Sequence, residues 1–119
     1  MIDLKSLEKD PGGINQHEKG AKLDAGKPRL GLVLGDFGNA LLAVGEVGTF
    51  GAKKYTEHGW LSVENGEARY TDALYRHMMK EGAGETADKD SKLHHAAHIA
   101  WNALARLELQ IREAANEQA

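Results

Sequence analysis

The chain has 119 residues, a formal net charge of −3 and no cysteine. That length suits one compact domain, and the weakly negative balance excludes a basic field able to hold nucleic acid irrespective of its sequence. Without thiols there are neither disulfides nor thiolate zinc sites.

No run approaches the roughly 18 apolar residues that cross a bilayer. The opening MIDLKSLEKD is charged where a signal peptide carries an apolar core. The expectation is a cytoplasmic protein with neither membrane nor nucleic acid as partner. Alanine and aliphatic residues dominate the apolar fraction and β-branched runs are absent, which favours helices.

Residues 1–20 end in PGGINQHEKG, with one proline, three glycines and no period. They are expected to form an extended N-terminal lead-in, with residues 21–119 as a single domain. In the following AKLDAGKPRLGL, Pro28 biases Lys27 towards extended geometry, and Arg29 flanks it on the other side. From composition alone this is a solvated loop.

A first helix is expected from Asp36, as N-cap, to about Tyr55. Phe37, Leu41, Val44, Gly48, Ala52 and Tyr55 make one stripe at helical period, with Glu46 pointing away and Lys53 seven residues further on. Gly38, Gly45, Gly48 and Gly51 each cost about 1 kcal/mol relative to alanine inside a helix. Either a neighbouring backbone or ligand approaches them closely, or the helix breaks there. The connection TEHGWLSVENGEARY carries two turn signals, His58-Gly59 and Asn65-Gly66.

A second helix is expected from Glu67 to Glu81, with a stripe of Tyr70, Ala73, Leu74, His77, Met78 and Glu81. Its last turn places a histidine and a carboxylate on an apolar face. A carboxylate there is either paired or metal-bound, or the face has reached solvent by that turn. GAGETADKDS then supplies Glu85, Asp88 and Asp90, with Asp90 or Ser91 as N-cap of the next helix.

The third helix is expected from Lys92 to about Ala115, with an apolar stripe of Leu93, Ala97, Ala100, Trp101, Leu104, Leu107 and Ile111. His95, Asn102 and Arg106 fall on roughly the opposite face. His94 and His98 stand at i, i+4, a spacing that can grip a metal. The chain has no cysteine and no HExxH glutamate, which argues against a zinc hydrolase and for histidines that line a pocket.

Taken together, KLDAGKPRLGL (22–32), FGAKKY (50–55), Trp60, RHMM (76–79), GETAD (84–88) and SKLHHAAHIAWN (91–102) resemble a group of phage and bacterial dATP/dGTP diphosphohydrolases. That group is related to the all-α MazG-like nucleotide pyrophosphohydrolases. The resemblance covers about residues 21–111 and lies in the ordered set, not in any single element. It implies an all-α antiparallel bundle of three or more helices, assembled as a homodimer or a dimer of dimers. It also implies hydrolysis of a purine (deoxy)nucleoside triphosphate to monophosphate and pyrophosphate with Mg²⁺ or Mn²⁺, in bacterial or phage-infected cytoplasm. One departure matters: the MazG pattern has an ExxE helix followed by ExxD on the next. Here the first helix offers only Glu46, and the E-x-x-D spacing falls at Glu85 and Asp88 in a loop.

Cleavage between the α- and β-phosphates needs charge neutralisation, an aligned water and a stabilised leaving group. Hard cations with oxygen ligands suit this, so Glu46, Glu81, Glu85 and Asp88 are the candidate metal ligands. A hairpin of the first two helices would set Glu46 beside Glu81, and these two are also the candidate catalytic carboxylates. Lys27, Arg29, Lys53 and Lys54 are candidate phosphate clamps, and Tyr55 and Trp60 candidate stacking partners for the base. His77, His95, His98 and Asn102 are candidates for hydrogen bonds to phosphate, ribose or base. Three helices of this length make a thin core, and a glycine-lined helix invites a second subunit. The competing readings are a non-catalytic helical nucleotide-binding or regulatory phage protein, a structural phage interaction protein, and an HD-type dNTP phosphohydrolase. The chain has no His-Asp dipeptide for the last.

Overall fold

The structure, a computed structural model, describes residues 8–118. The chain divides into two compact units, Met1–Asp36 and Phe37–Ala119, so the expected boundary at residue 20 falls inside the first. In that unit the Asp10 carboxylate receives the N–H groups of Gly12 at 2.7 Å, Ile14 at 3.2 Å and Lys22 at 3.0 Å. These bonds, led by that of Lys22, hold its carboxyl below the usual range. The described residues of this unit contain a single turn of helix, α1, Gly31–Leu34.

The second unit holds α2 (Gly38–Lys54), a 3₁₀ turn (Gly59–Ser62), α3 (Gly66–Gly82) and α4 (His95–Gln118). The described residues contain no strand, only one antiparallel bridge between Ala87 and His94. The chain is all-α. No helix among the described residues is long and apolar enough to cross a membrane. Both turn signals operate: His58 and Asn65 take left-handed backbone, at φ of 61° and 54°.

The helix boundaries lie close to expectation except those of α4, which runs His95–Gln118 rather than Lys92 to about Ala115. Asp90 and Ser91 do not cap a helix there. The chain between α3 and α4 folds back on itself instead, with Asp88 N–H donating to Leu93 O at 2.8 Å and His95 N–H to Thr86 O at 2.9 Å. Gly84, at φ of 99°, makes the turn that lets this loop leave α3. Likewise α2 begins after Phe37 with no side-chain cap from Asp36.

α4 is the element on which α2 and α3 both pack. The pairs Glu67–Gln110 and His77–His95 show that α3 runs antiparallel to it. Gly48 beside Trp101 and Phe50 beside His98 show the same of α2. α2 and α3 are therefore not the expected hairpin. They run in the same sense, and the 56–65 connection returns along the bundle between them.

α2 passes unbroken through its glycines. A Cβ on Gly48 would sit 3.5 Å from Trp101 Nε1, so the indole lies directly on this backbone, whereas Gly45 and Gly51 face open space. Trp101 also meets Tyr70 and Trp60 edge-on, at ring separations of 5.5 and 5.7 Å. The Tyr70 hydroxyl donates to the Trp60 carbonyl at 2.6 Å. Such aromatic pairs contribute about 0.5–1.5 kcal/mol each beyond area burial, and this trio joins the connection, α3 and α4.

The rest of the core departs from the expected stripes. Val47, Ala97 and Ala105 are its buried apolar residues, alongside buried Asp88, His95, His98 and Asn102. α4 turns its polar face inward, while Leu104, Leu107 and Ile111 stay 51%, 52% and 43% exposed. With Val44, Gly45 and Gly48 they line an open groove of about 490 Å³. At the ends of the α2 stripe, Phe37 and Tyr55 are exposed.

Candidate active site

His77 comes from the penultimate turn of α3, Glu85 and Asp88 from the loop beyond it, and His95 and His98 from the first turn of α4. The backbone bonds that fold the 83–94 loop bring the two carboxylates back over the start of α4. One nitrogen each of His77 and His95 and one carboxylate oxygen of Asp88 lie within 4.8 Å of one another, an arrangement able to hold a metal ion.

His95 is fully buried. Its Nε2 stands 2.9 Å from Glu85 Oε1 and its Nδ1 2.8 Å from His77 Nδ1. An ionised carboxylate only accepts, so His95 Nε2–H is the donor. In the neutral tautomer with that proton on Nε2, Nδ1 would turn its lone pair towards His77. The His77 ring stacks on that of His98 at 4.3 Å, 6° from parallel. His98 is held in turn by Ser91, its Nε2 lying 2.7 Å from Ser91 Oγ, and by the edge of Phe50.

Burial pushes His77 down to about 4, with repulsion from His98 and His95 adding to it and Asp88 opposing. Burial also lowers His98, again against the pull of Asp88. Both rings are therefore neutral at pH 7, with lone pairs to offer. Burial works to raise Asp88, but hydrogen bonds from the Ser91 N–H and hydroxyl and the neighbouring imidazoles outweigh it, so the group stays ionised. Asp88 Oδ2 receives the N–H groups of Asp90 at 3.1 Å and Ser91 at 2.8 Å. No buried side-chain nitrogen or oxygen among the described residues lacks a partner.

Residues 17–118 match the family described as dATP/dGTP diphosphohydrolase, N-terminal. The chain belongs to that family. No curated protein and no solved structure matches it. The dATP/dGTP diphosphohydrolase match spans all four helices and every residue of the histidine–carboxylate group.

Among the residues expected from the sequence of this family member, the fold gathers Glu85, Asp88, His77, His95 and His98. Asn102 is buried beside them, but its Nδ2 donates to the His98 carbonyl at 2.8 Å, within α4. Lys54 reaches the rim of the loop, 2.6 Å from Asp90 Oδ2. Lys53 and Tyr55 are exposed near it in sequence, and Trp60 is half-buried in the aromatic trio. Glu46 and Glu81 are exposed on α2 and α3, and neither belongs to the ligand group found among the described residues. Lys27 and Arg29 lie in the N-terminal unit.

The sequence offers a metal-gripping spacing at His94 and His98 but favours histidines that line a pocket. His94 is in fact exposed, and the convergent pair comes from two helices. The available signal was the alternation His77, Glu85, Asp88, His95 across a short glycine-containing loop. That pattern closes only if α3 and α4 are antiparallel.

Proposed function

We propose that this chain hydrolyses purine deoxynucleoside triphosphates, dATP and dGTP, to monophosphate and pyrophosphate with the help of Mg²⁺ or Mn²⁺. Membership of a diphosphohydrolase family gives the reaction class. The observation that carries the reading to a place in the fold is the convergence of His77, Asp88 and His95 from three segments.

His77, Asp88 and His95 hold the cation in this reading. Bound there, a divalent ion neutralises phosphate charge and stabilises the departing pyrophosphate. Glu85 orients His95 through its Nε2–H, and Ser91 orients His98, whose stacked ring keeps His77 in place. Lys54 stands at the rim, where a phosphate competes with Asp90 for its ammonium. Lys53 supplies a further cation, and Tyr55, exposed beside Lys54, offers a face for the base. Glu46 and Glu81 are kept as water-activating carboxylates, since both are exposed and free to reach a substrate. The uncovered apolar groove on α2 and α4 supports a homodimer, or a dimer of dimers, as the working state.

The test is to incubate the chain with each dNTP and Mg²⁺ or Mn²⁺ and resolve the products by chromatography. Deoxynucleoside monophosphate and pyrophosphate are expected. Deoxynucleoside and tripolyphosphate would overturn the reading in favour of an HD-type reaction. Absence of turnover with either ion would overturn it in favour of a nucleotide-binding module.

A further inference from the structure

We propose that His77, Asp88 and His95 form a two-nitrogen, one-oxygen centre that selects Mn²⁺ and its heavier first-row neighbours over Mg²⁺, with Glu85 as the positioning residue of His95. In taking this ion for the working one the inference rests on the hydrolase reading above. The binding claim itself stands on geometry.

Three observations carry it. The first is orientation. The Glu85 carboxylate takes the Nε2–H of His95 at 2.9 Å, so the tautomer and the ring angle are set from outside the cluster and Nδ1 faces inward. A carboxylate on the far nitrogen is the arrangement that commonly orients metal-bound histidines and raises their basicity.

The second is spacing. The two Nδ1 atoms stand 2.8 Å apart. Two imidazole nitrogens bound at right angles at about 2.0–2.1 Å would be about 2.9 Å apart, so an ion can replace the N–H···N bond once the His77 proton moves from Nδ1 to Nε2 and the rings turn to bring both lone pairs onto it. The third is rigidity. Asp88 Oδ2 is pinned by two backbone N–H groups, and the His77 ring is clamped by His98, itself anchored on Ser91. Ligands so locked are presented without much further loss of rotamer freedom.

The donor set then decides the ion. Mg²⁺ is hard, dehydrates reluctantly and is held through carboxylates and phosphate oxygens. Imidazole nitrogen favours the first-row transition ions, with affinity rising from Mn²⁺ towards Cu²⁺. Two of the three donors here are imidazoles, and one of them is fully buried.

The experiment uses the full chain, stripped with chelator and titrated calorimetrically with Mn²⁺, Zn²⁺ and Mg²⁺ in the absence of nucleotide. Pulsed electron paramagnetic resonance of the Mn²⁺-loaded chain then reads the ligands. Expected are Mn²⁺ bound more than about tenfold tighter than Mg²⁺, Zn²⁺ tighter still, and nitrogen couplings of coordinated imidazole. Glu85→Gln should weaken Mn²⁺ binding by about 10–100-fold with the helical circular dichroism unchanged. Comparable Mg²⁺ and Mn²⁺ affinities, missing nitrogen couplings, or no measurable binding would overturn the centre. An unchanged affinity in Glu85→Gln would overturn the positioning role. The couplings are read on the unaltered chain, so they decide the matter even if the variant fails to fold. A chain that binds Mn²⁺ through imidazole yet releases no pyrophosphate overturns the hydrolase reading and leaves this one standing.

Discussion

Acidification should destabilise the metal-free chain through His77, and the size of the effect follows from the site. The folded state holds this ring at about 4 against an ordinary value of 6.5, because burial disfavours the imidazolium and His98 and His95 repel it. Lys80 adds to the repulsion, and only Asp88 pulls the other way. Protons therefore bind the unfolded chain preferentially. The stability associated with a neutral His77 is complete above pH 6.5 and is lost as pH falls towards 4. At about 1.4 kcal/mol per pH unit the full displacement amounts to roughly 3 kcal/mol. Solvent reaches part of the ring, so about 1.5–3 kcal/mol is expected. His98 shifts the same way, and Asp88 adds its own loss only below its ordinary 3.8. The assay is urea unfolding, followed by circular dichroism with chelator present, across that window for the wild type and for His77→Gln. The wild type should lose about 1.5–3 kcal/mol more than the variant between neutral pH and about pH 4. Parallel pH profiles would refute the claim that the fold holds this ring neutral.

Trp101→Ala removes the indole that bridges α2, α3 and the 56–65 connection. It should cost about 2–4 kcal/mol in urea unfolding, somewhat less than a fully buried tryptophan; a loss under about 1 kcal/mol would mean the bridge does not hold the helices together. Gly48→Ala adds a Cβ 3.5 Å from Trp101 Nε1, an ordinary contact, and Gly45→Ala adds one in open space. Each should therefore raise the stability of the isolated chain by about 0.5–1 kcal/mol, measured by the same unfolding curves, and a loss would show that something closer packs there. Glu46→Gln and Glu81→Gln should each cut pyrophosphate release at least about tenfold without changing helicity, as removal of a general base does. Unchanged rates would remove them from the mechanism.

Much of the fold could be read from the sequence because periodicity and turn chemistry are local. The three long helices, both left-handed turn residues and the 83–94 loop fall within a few residues of their expected places. The order of packing could not be read in this way. A stripe of Leu104, Leu107 and Ile111 looks like a core whichever neighbour it meets, and nothing local says that α4 buries the side carrying His95, His98 and Asn102 instead. The reason is visible only in three dimensions. Each of those polar groups has its partner already in the chain, Glu85 for His95, Ser91 for His98 and the His98 carbonyl for Asn102. Their burial therefore does not carry the penalty that an unpaired group would. The same blindness to tertiary pairing hid that α2 and α3 run in the same sense. The fold sets Glu85 and Asp88 among imidazoles, which periodicity alone cannot distinguish from polar decoration.

The two faces of α4 tie the site to whatever covers the groove. Val47, Ala97 and Ala105 are few apolar residues to hold such a unit in water, where net stability is a small difference between large terms. Leu104, Leu107 and Ile111 remain on the surface of the helix whose first turn carries His95 and His98. Burying that stripe against a second copy removes apolar area from water at about 25 cal/mol per Å², and the gain is delivered to α4 as a whole. A helix stiffened along its length fixes its first turn, and with it the spacing between His95 Nδ1 and His77 Nδ1. The homodimer proposed above therefore predicts that ion affinity rises with protein concentration. An affinity indifferent to concentration would separate the groove from the site.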